Sequence, residues 1–218
     1  MSKRFTVNTN YVLSKAVGYR GNAGNFGGAA SDPFRIYAPW DFGPTNNDER
    51  HRWVASGLVD LPWGIRLAPV VQWSSARPYT ATQGITDVFG YGTNNGATNA
   101  IVLSSDPTNL LATKDFTTAQ LRACIENNTC EQAGFNNLRG QPFFQLDLRA
   151  SKSFRFGERT RLELIFQTFD LTDRANFGNR YVGNIRANNF RQPNGFITPA
   201  GVIVPRSFSG EFGAQIRF

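Results

Sequence analysis

The side chains able to do chemistry are few. His51 is the only histidine among 218 residues. That excludes a two-histidine metal site within the chain, and no serine or aspartate motif points to His51 as the base of a triad. Flanked by Arg50 and Arg52 where an alternating segment begins, it reads as a rim or lumen residue. Cys124 and Cys130 are the only cysteines. Two cysteines without histidines support no metal site, and in an exported, oxidising setting they are expected to form a local disulfide. The stretch Gly90-Tyr91-Gly92-Thr93-Asn94-Asn95-Gly96 is glycine-rich, but no strand and helix flank it and its spacing is wrong for a dinucleotide loop. Asp87 with Asn94 and Asn95 falls short of the carboxylates a calcium loop needs. No catalytic residue and no cofactor is expected.

The sharper candidates are charges that alternate with apolar residues: Arg52, Asp60, Arg66, Asp147, Arg149, Arg161, Glu163, Glu211 and Arg217. Such a row forms either a wall along which a polar substrate passes, or a set of cross-strand pairs and contacts to a second domain. Both readings stay open at this stage. Asp147 and Glu163 fall at different heights of neighbouring strands, so they do not make an acid–base pair.

These charges need strands to position them. Period-two alternation, the mark of a strand with two different faces, predicts strands near 5–16, 52–61, 65–79, 141–156, 160–172 and 207–218. One face carries residues such as Phe5, Val7, Tyr11, Trp53, Val59, Leu67, Val71, Trp73, Leu146, Phe154, Leu164, Phe212 and Ile216. The other carries the charges. Thr9, Lys15, Lys152 and Pro69 interrupt the apolar face. A Thr117-Gln120 capping-box spacing predicts one short helix ahead of Leu121 and Ile125.

The connections alternate as well. Pro62-Trp63-Gly64 and Gly157-Glu158-Arg159 are tight, whereas 17–51, 80–140 and 173–206 are long. Short periplasmic turns opposite long extracellular loops are the habit of outer-membrane barrels, and three long structureless loops are foreign to a compact soluble domain. The three-residue turn at 62–64 sets Trp53 opposite Trp73, Gly57 opposite Pro69 and Asp60 opposite Arg66. The turn at 157–159 sets Ala150 opposite Phe166. With short turns periplasmic, Trp53, Trp73, Phe144 and Phe208 fall near the extracellular ends, and Phe5, Phe154, Phe156 and Phe218 near the periplasmic ends. Two aromatic belts bounding an apolar band mark a lipid-facing surface.

Composition agrees. Charged residues are 18 % of the chain, below the quarter or so usual in soluble domains. No apolar run is long enough to cross a bilayer as a helix. The formal net charge of +7 is scattered, with Lys3, Lys15, Lys114 and Lys152 the only lysines; without a recognition motif, nucleic acid is not an expected partner.

The expected fold is therefore all-β: an antiparallel up-and-down transmembrane β-barrel segment. Six strands enclose too little room for long polar side chains, and an open edge cannot face hydrocarbon. The chain is expected to supply about six C-terminal strands of a larger barrel. A secreted β-sandwich that binds carbohydrate or mediates adhesion is the alternative.

Several segments carry a family resemblance. Arg50-His51-Arg52-Trp53-Val54-Ala55-Ser56-Gly57, ending in Asp60-Leu61-Pro62-Trp63-Gly64, resembles a hairpin of Oar-like TonB-dependent outer-membrane receptors. Leu146-Asp147-Leu148-Arg149-Ala150-Ser151-Lys152 is similar to the next strand of that family. Phe169-Asp170-Leu171-Thr172-Asp173-Arg174-Ala175-Asn176-Phe177 resembles its Phe-Asn-Leu-Phe-Asn-Arg motif. Tyr11-Val12-Leu13-Ser14-Lys15-Ala16 also fits. Pro205-Arg206 and a strand ending Ile216-Arg217-Phe218 look like its C-terminus. The resemblance implies residence in the bacterial outer membrane and nutrient import driven through TonB. It implies as partners outer-membrane lipid, the remaining strands and plug of a parent receptor, the barrel-assembly machinery, and TonB through an N-terminal part that nothing here resembles. It also implies that Phe212, Ile216 and Phe218 act as a barrel-assembly signal.

The signal reading separates delivery from stability. Phe218→Ala in the complete barrel is expected to lower insertion into the outer membrane while folding into detergent micelles in vitro stays near wild type. Equal loss in the two assays would reduce Phe218 to a packing residue.

Overall fold

The computed structural model describes residues 4–20, 35, 37–85, 88–89, 98–157, 159–196 and 208–218. Six long strands form one sheet: β1 (Phe5–Leu13), β2 (His51–Leu61), β3 (Ile65–Ser74), β4 (Phe143–Phe156), β5 (Thr160–Phe169) and β6 (Ser209–Arg217). Spatial order follows chain order, and every neighbouring pair is antiparallel. The sheet is an open meander in which β1 and β6 each pair on one side. The remaining short strands pair only in twos. A sandwich needs a second broad sheet against the first, and among the described residues there is none.

The register puts all five ladders in phase. Trp53 pairs with both Tyr11 and Trp73, Trp73 with Phe144, Ala150 with Leu67 and Phe166, and Phe166 with Phe212. Directly paired residues share a face, so one apolar side extends across all six strands from Phe5 to Ile216. Asp60 pairs with Arg66, as the turn length requires. The β2–β3 ladder omits the positions Gly57–Pro69 and Leu58–Ala68 yet resumes at Val59 and Leu67 in the same register. Pro69 has no N–H to give, and a Cβ on Gly57 would stand 3.5 Å from the Pro69 ring. The proline is thus accommodated without a bulge.

The three other interruptions of the apolar face also have local answers. The Trp53 indole N–H donates to Thr9 Oγ1 at 2.7 Å, so two polar groups that would each be orphaned in lipid satisfy each other. Lys152 Nζ lies 5.1 Å from the centre of the Phe154 ring. Lys15 falls beyond the strand, at the rim.

Strand ends depart from the sequence expectation. β1 stops at Leu13 rather than 16, because the Ala16 N–H turns to Asp48 Oδ1. β3 stops at Ser74 rather than 79; Pro78–Tyr79 leaves the sheet to pair with Leu138–Arg139. β4 begins at Phe143 rather than 141, since the Gln141 N–H goes to the Gly178 carbonyl. β5 stops at Phe169 rather than 172, where Asp170 takes a positive φ of 50°. β6 begins at Ser209 and ends at Arg217, within the expected 207–218.

The larger departure is in the long connections. They form a folded cap rather than loose loops. It contains helix α1 (Thr118–Glu126) with both halves of the expected capping box, and the pair Ile101–Leu103 with Cys130–Gln132. One buried cluster joins Ala81, Ala100, Val102, Leu110, Ala133 and Ile185, and a second joins Val88, Ile101, Leu121 and Cys130. The buried apolar core thus sits above the sheet rather than on it.

The apolar face sets a direct test. Leu148 lies mid-strand on that face, between Pro69 and Thr168. Leu148→Arg is expected to cost about 2–4 kcal/mol on folding into lipid vesicles, read by denaturant titration, while Arg149→Leu on the opposite face costs far less. A Leu148→Arg penalty no larger than that of Arg149→Leu would reverse the assignment of faces.

Candidate pore wall and outer rim

The face opposite the apolar band gathers every charge singled out from the sequence. Arg52, Asp60, Arg66, Asp147, Arg149, Arg161, Glu163, Glu211 and Arg217 all fall on it by ladder pairing. Arg149 stands opposite Gln167, which stands opposite Glu211. Glu163 stands between Ser153 and Gln215. Near the periplasmic end Arg155, Arg161 and Arg217 face one another across three strands. Like charges directly opposite destabilise a sheet, so this row favours an anionic neighbour. Arg155 shares this face; its place opposite Arg161 follows from the three-residue turn, and the alignment with Arg217 from the β5–β6 ladder.

Several of these charges are already engaged. Arg66 holds Asp60 through two hydrogen bonds, Nε to Oδ1 at 2.7 Å and a second to Oδ2 at 3.3 Å. Both side chains are well exposed. Asp147 accepts from the Gln145 amide and from the Asp170 backbone N–H at 2.8 Å. Arg52 and Arg77 both pair with Glu49, at 3.0 and 2.6 Å. At the inner rim Glu49, Arg52, Gln72, Ser74, Arg77 and Phe143 line a cleft of very small volume, about 10 Å³. Asp147, Arg52 and the Asp60–Arg66 pair therefore do structural work in the wall. Arg149, Arg161, Glu163, Glu211 and Arg217 present the less committed polar surface.

The segment Phe169 to Phe177 turns the chain back onto β4. Asp170 Oδ1 accepts from the Thr172 hydroxyl and the Arg174 N–H, an arrangement suited to its positive φ and to that of Asp173. The Asn176 side chain then brackets Phe144, accepting from its N–H at 3.0 Å and donating to its carbonyl at 2.9 Å. A side-chain amide here takes the place of a neighbouring strand. The sequence marked this segment by resemblance only; its role in closing the ladder end is visible only in the structure.

The cap binds the three long connections to one another. Asn136 Nδ2 donates to the Pro44 carbonyl at 2.6 Å, and Asn179 Nδ2 donates to the Asn46 and Pro78 carbonyls. Gln83, fully buried, accepts from the Ile101 N–H and donates to the Thr113 carbonyl. A Cβ on Gly140 would meet the Gly178 carbonyl oxygen at 1.8 Å, so only glycine permits that approach. Cys124 and Cys130 are joined in a disulfide between α1 and the strand that follows it. His51 lies on the apolar side at the outer rim, 2.6 Å from the Tyr11 hydroxyl through Nδ1. It is a rim residue rather than a lumen one. Asp87, the 90–96 stretch, Glu158 and Pro205-Arg206 lie outside the described residues.

Asp48 anchors the rim. Burial alone would raise its pKa, but the Ala16 N–H, the Arg139 guanidinium and the charge of Arg50 together hold it below the usual carboxylate range. Its contribution is thus present above the unfolded value of about 3.9 and is lost as pH falls through the lower folded value.

A single sheet, apolar on one face and charged on the other, with aromatic residues at both ends of the apolar face, is the wall of a membrane-spanning β-barrel. A family model described as an outer membrane beta barrel domain matches residues 1–207. The chain belongs to that family and resides in the bacterial outer membrane. No curated protein and no solved structure matches it.

The disulfide yields the next expectation. Quantitative alkylation of the folded protein should find no free thiol before reduction. Replacing Cys124 and Cys130 by Ser should loosen the cap by about 2 kcal/mol, as expected for so short a closed loop, with faster proteolysis near α1. Two reactive thiols per unreduced chain, or unchanged cap proteolysis, would contradict it.

Proposed function

We propose that the chain forms part of the pore wall of a TonB-dependent, Oar-like receptor that takes up a nutrient with energy supplied from the inner membrane. The observation that carries this reading is the continuous charged face, running from the arginine row at the periplasmic end to Arg52 and Glu49 at the extracellular rim. The order of the resembling segments, Tyr11 to Ala16, Arg50 to Gly64, Leu146 to Lys152 and Phe169 to Phe177, supports the finer family. On this reading the partners are outer-membrane lipid outside, the remaining strands and plug of the parent receptor inside and beside the sheet, the assembly machinery, and TonB through the plug. The chain carries out no catalytic step and holds no cofactor.

The test compares cells lacking the full receptor with cells lacking TonB across a panel of limiting nutrients. The proposal expects one nutrient whose uptake falls in both strains and is restored by the receptor gene only where TonB is present. Receptor-dependent uptake that survives loss of TonB would leave a passive channel instead.

A further inference from the structure

The periplasmic end of the charged face carries a row unlike the rest of the wall. Arg155 stands opposite Arg161, and Arg161 opposite Arg217. Neighbouring strands lie about 4.8 Å apart, so three guanidinium groups share a stripe about 10 Å wide. Ladder parity fixes the side they take. Arg155 lies between Phe154 and Phe156, Arg161 precedes Leu162, and Arg217 follows Ile216, with Phe154, Leu162 and Ile216 on one apolar rung. All three arginines therefore face the pore side. Membrane lipid, which meets the other face, is not their counterpart.

Elsewhere the chain supplies its own counter-charges. Arg52 and Arg77 share Glu49, Arg66 is held by Asp60, and Arg139 by Asp48. The three residues of the row are exposed and form no ion pair among the described residues. Arg217 donates to the neutral Gln215 side chain at 3.2 Å. The next rung, Ser153, Glu163 and Gln215, brings one carboxylate for three cations. Like charges directly opposite are a standing cost to the folded sheet, and a standing cost is offset by a resident counter-charge rather than a passing one. A permeating anion must also be held weakly enough to leave. Three adjacent guanidiniums, each able to grip a carboxylate through two hydrogen bonds, do not meet that condition.

We propose that the row docks an acidic segment of protein chain that stays at the periplasmic mouth of the pore. In an extended segment, carboxylates at alternate positions point the same way about 7 Å apart, so a pair of them spans the three guanidiniums. On the function proposed above, the segment belongs to the plug of the parent receptor. Such docking rests on that reading for the plug and is independent of TonB.

The test uses the complete receptor, purified from outer membranes in detergent. Arg155→Lys with Arg161→Lys keeps the charge and introduces amines that a water-soluble carbodiimide couples to a carboxylate in contact. Peptide mass spectrometry then locates the partner. Coupling to carboxylates outside the barrel wall is the expected result, whichever domain carries them. No coupling, or coupling confined to Glu158 and Glu163 of the wall itself, would overturn the proposal. A second variant, Arg155→Gln with Arg161→Gln, is checked for folding by heat-dependent gel mobility. In it the coupled segment should be cleaved by added protease about tenfold faster than in the wild type, while the lysine variant stays near wild type. Unchanged cleavage in the folded glutamine variant would also overturn the proposal. If that variant instead lost binding of inorganic phosphate with cleavage unchanged, the row would belong to a transported anion. Uptake that survives loss of TonB would overturn the function above and leave the coupling result untouched.

Discussion

Backbone N–H and carbonyl groups have no water to turn to inside a bilayer, and each one left unpaired costs several kcal/mol. The rest of the molecule is arranged around that constraint. It explains why five ladders keep one register without a bulge, even past Pro69, where a donor is missing. It explains why the Trp53 N–H finds Thr9 and why Asn176 supplies an amide where β4 would otherwise end against nothing. It also sets the sheet's unfinished business: β1 and β6 each carry one unpaired edge, which only further strands can satisfy in a membrane.

The sheet and the cap are stabilised in different ways. The sheet is one layer thick and has no packed interior of its own; its apolar face is completed by lipid. The cap is stabilised as a soluble domain is, by fully buried residues such as Ile101, Leu121 and Ile185 and by buried amides such as Gln83 and Asn99 with their partners engaged. Between the two stands a rim of ion pairs and aromatic residues. Glu49 ties the β2 start to Arg52 and Arg77, and Asp48 ties the end of β1 to Arg139 of the second connection.

Most of the sheet was legible from the sequence, because alternation and turn length are local signals. The pairing of Trp53 with Trp73 and of Ala150 with Phe166 followed from a three-residue turn alone. Strand ends were less legible, since each is set by a competing partner elsewhere: Asp48 for Ala16, Gly178 for Gln141. The cap was read as loop throughout, apart from the helix start at Thr117. Its contacts join residues such as Asn136 and Pro44, 92 positions apart, with no periodicity to announce them. Among the candidate wall residues, the face was legible but the engagement was not. Nothing in the sequence tells Asp147, held by its neighbours, from Glu163, which faces neutral residues on both sides.

The cap's wiring imposes an order on how the molecule is made. The bond from Asn179 to Asn46 spans 133 positions, and those linking Asn136 to the first connection span 90 or more. Contacts of such sequence separation carry a large loop-closure cost until something else has brought their ends together. Alignment of β1 to β5 does this, so the three connections become one body only after the strands that carry them are side by side. The Cys124–Cys130 link is the exception. Six positions separate its ends, and it closes without help from any other connection, in the compartment the chain crosses before reaching its membrane. The hairpin around α1 is then already shaped when the rest arrives, and the last folding event takes place on the far side of the bilayer.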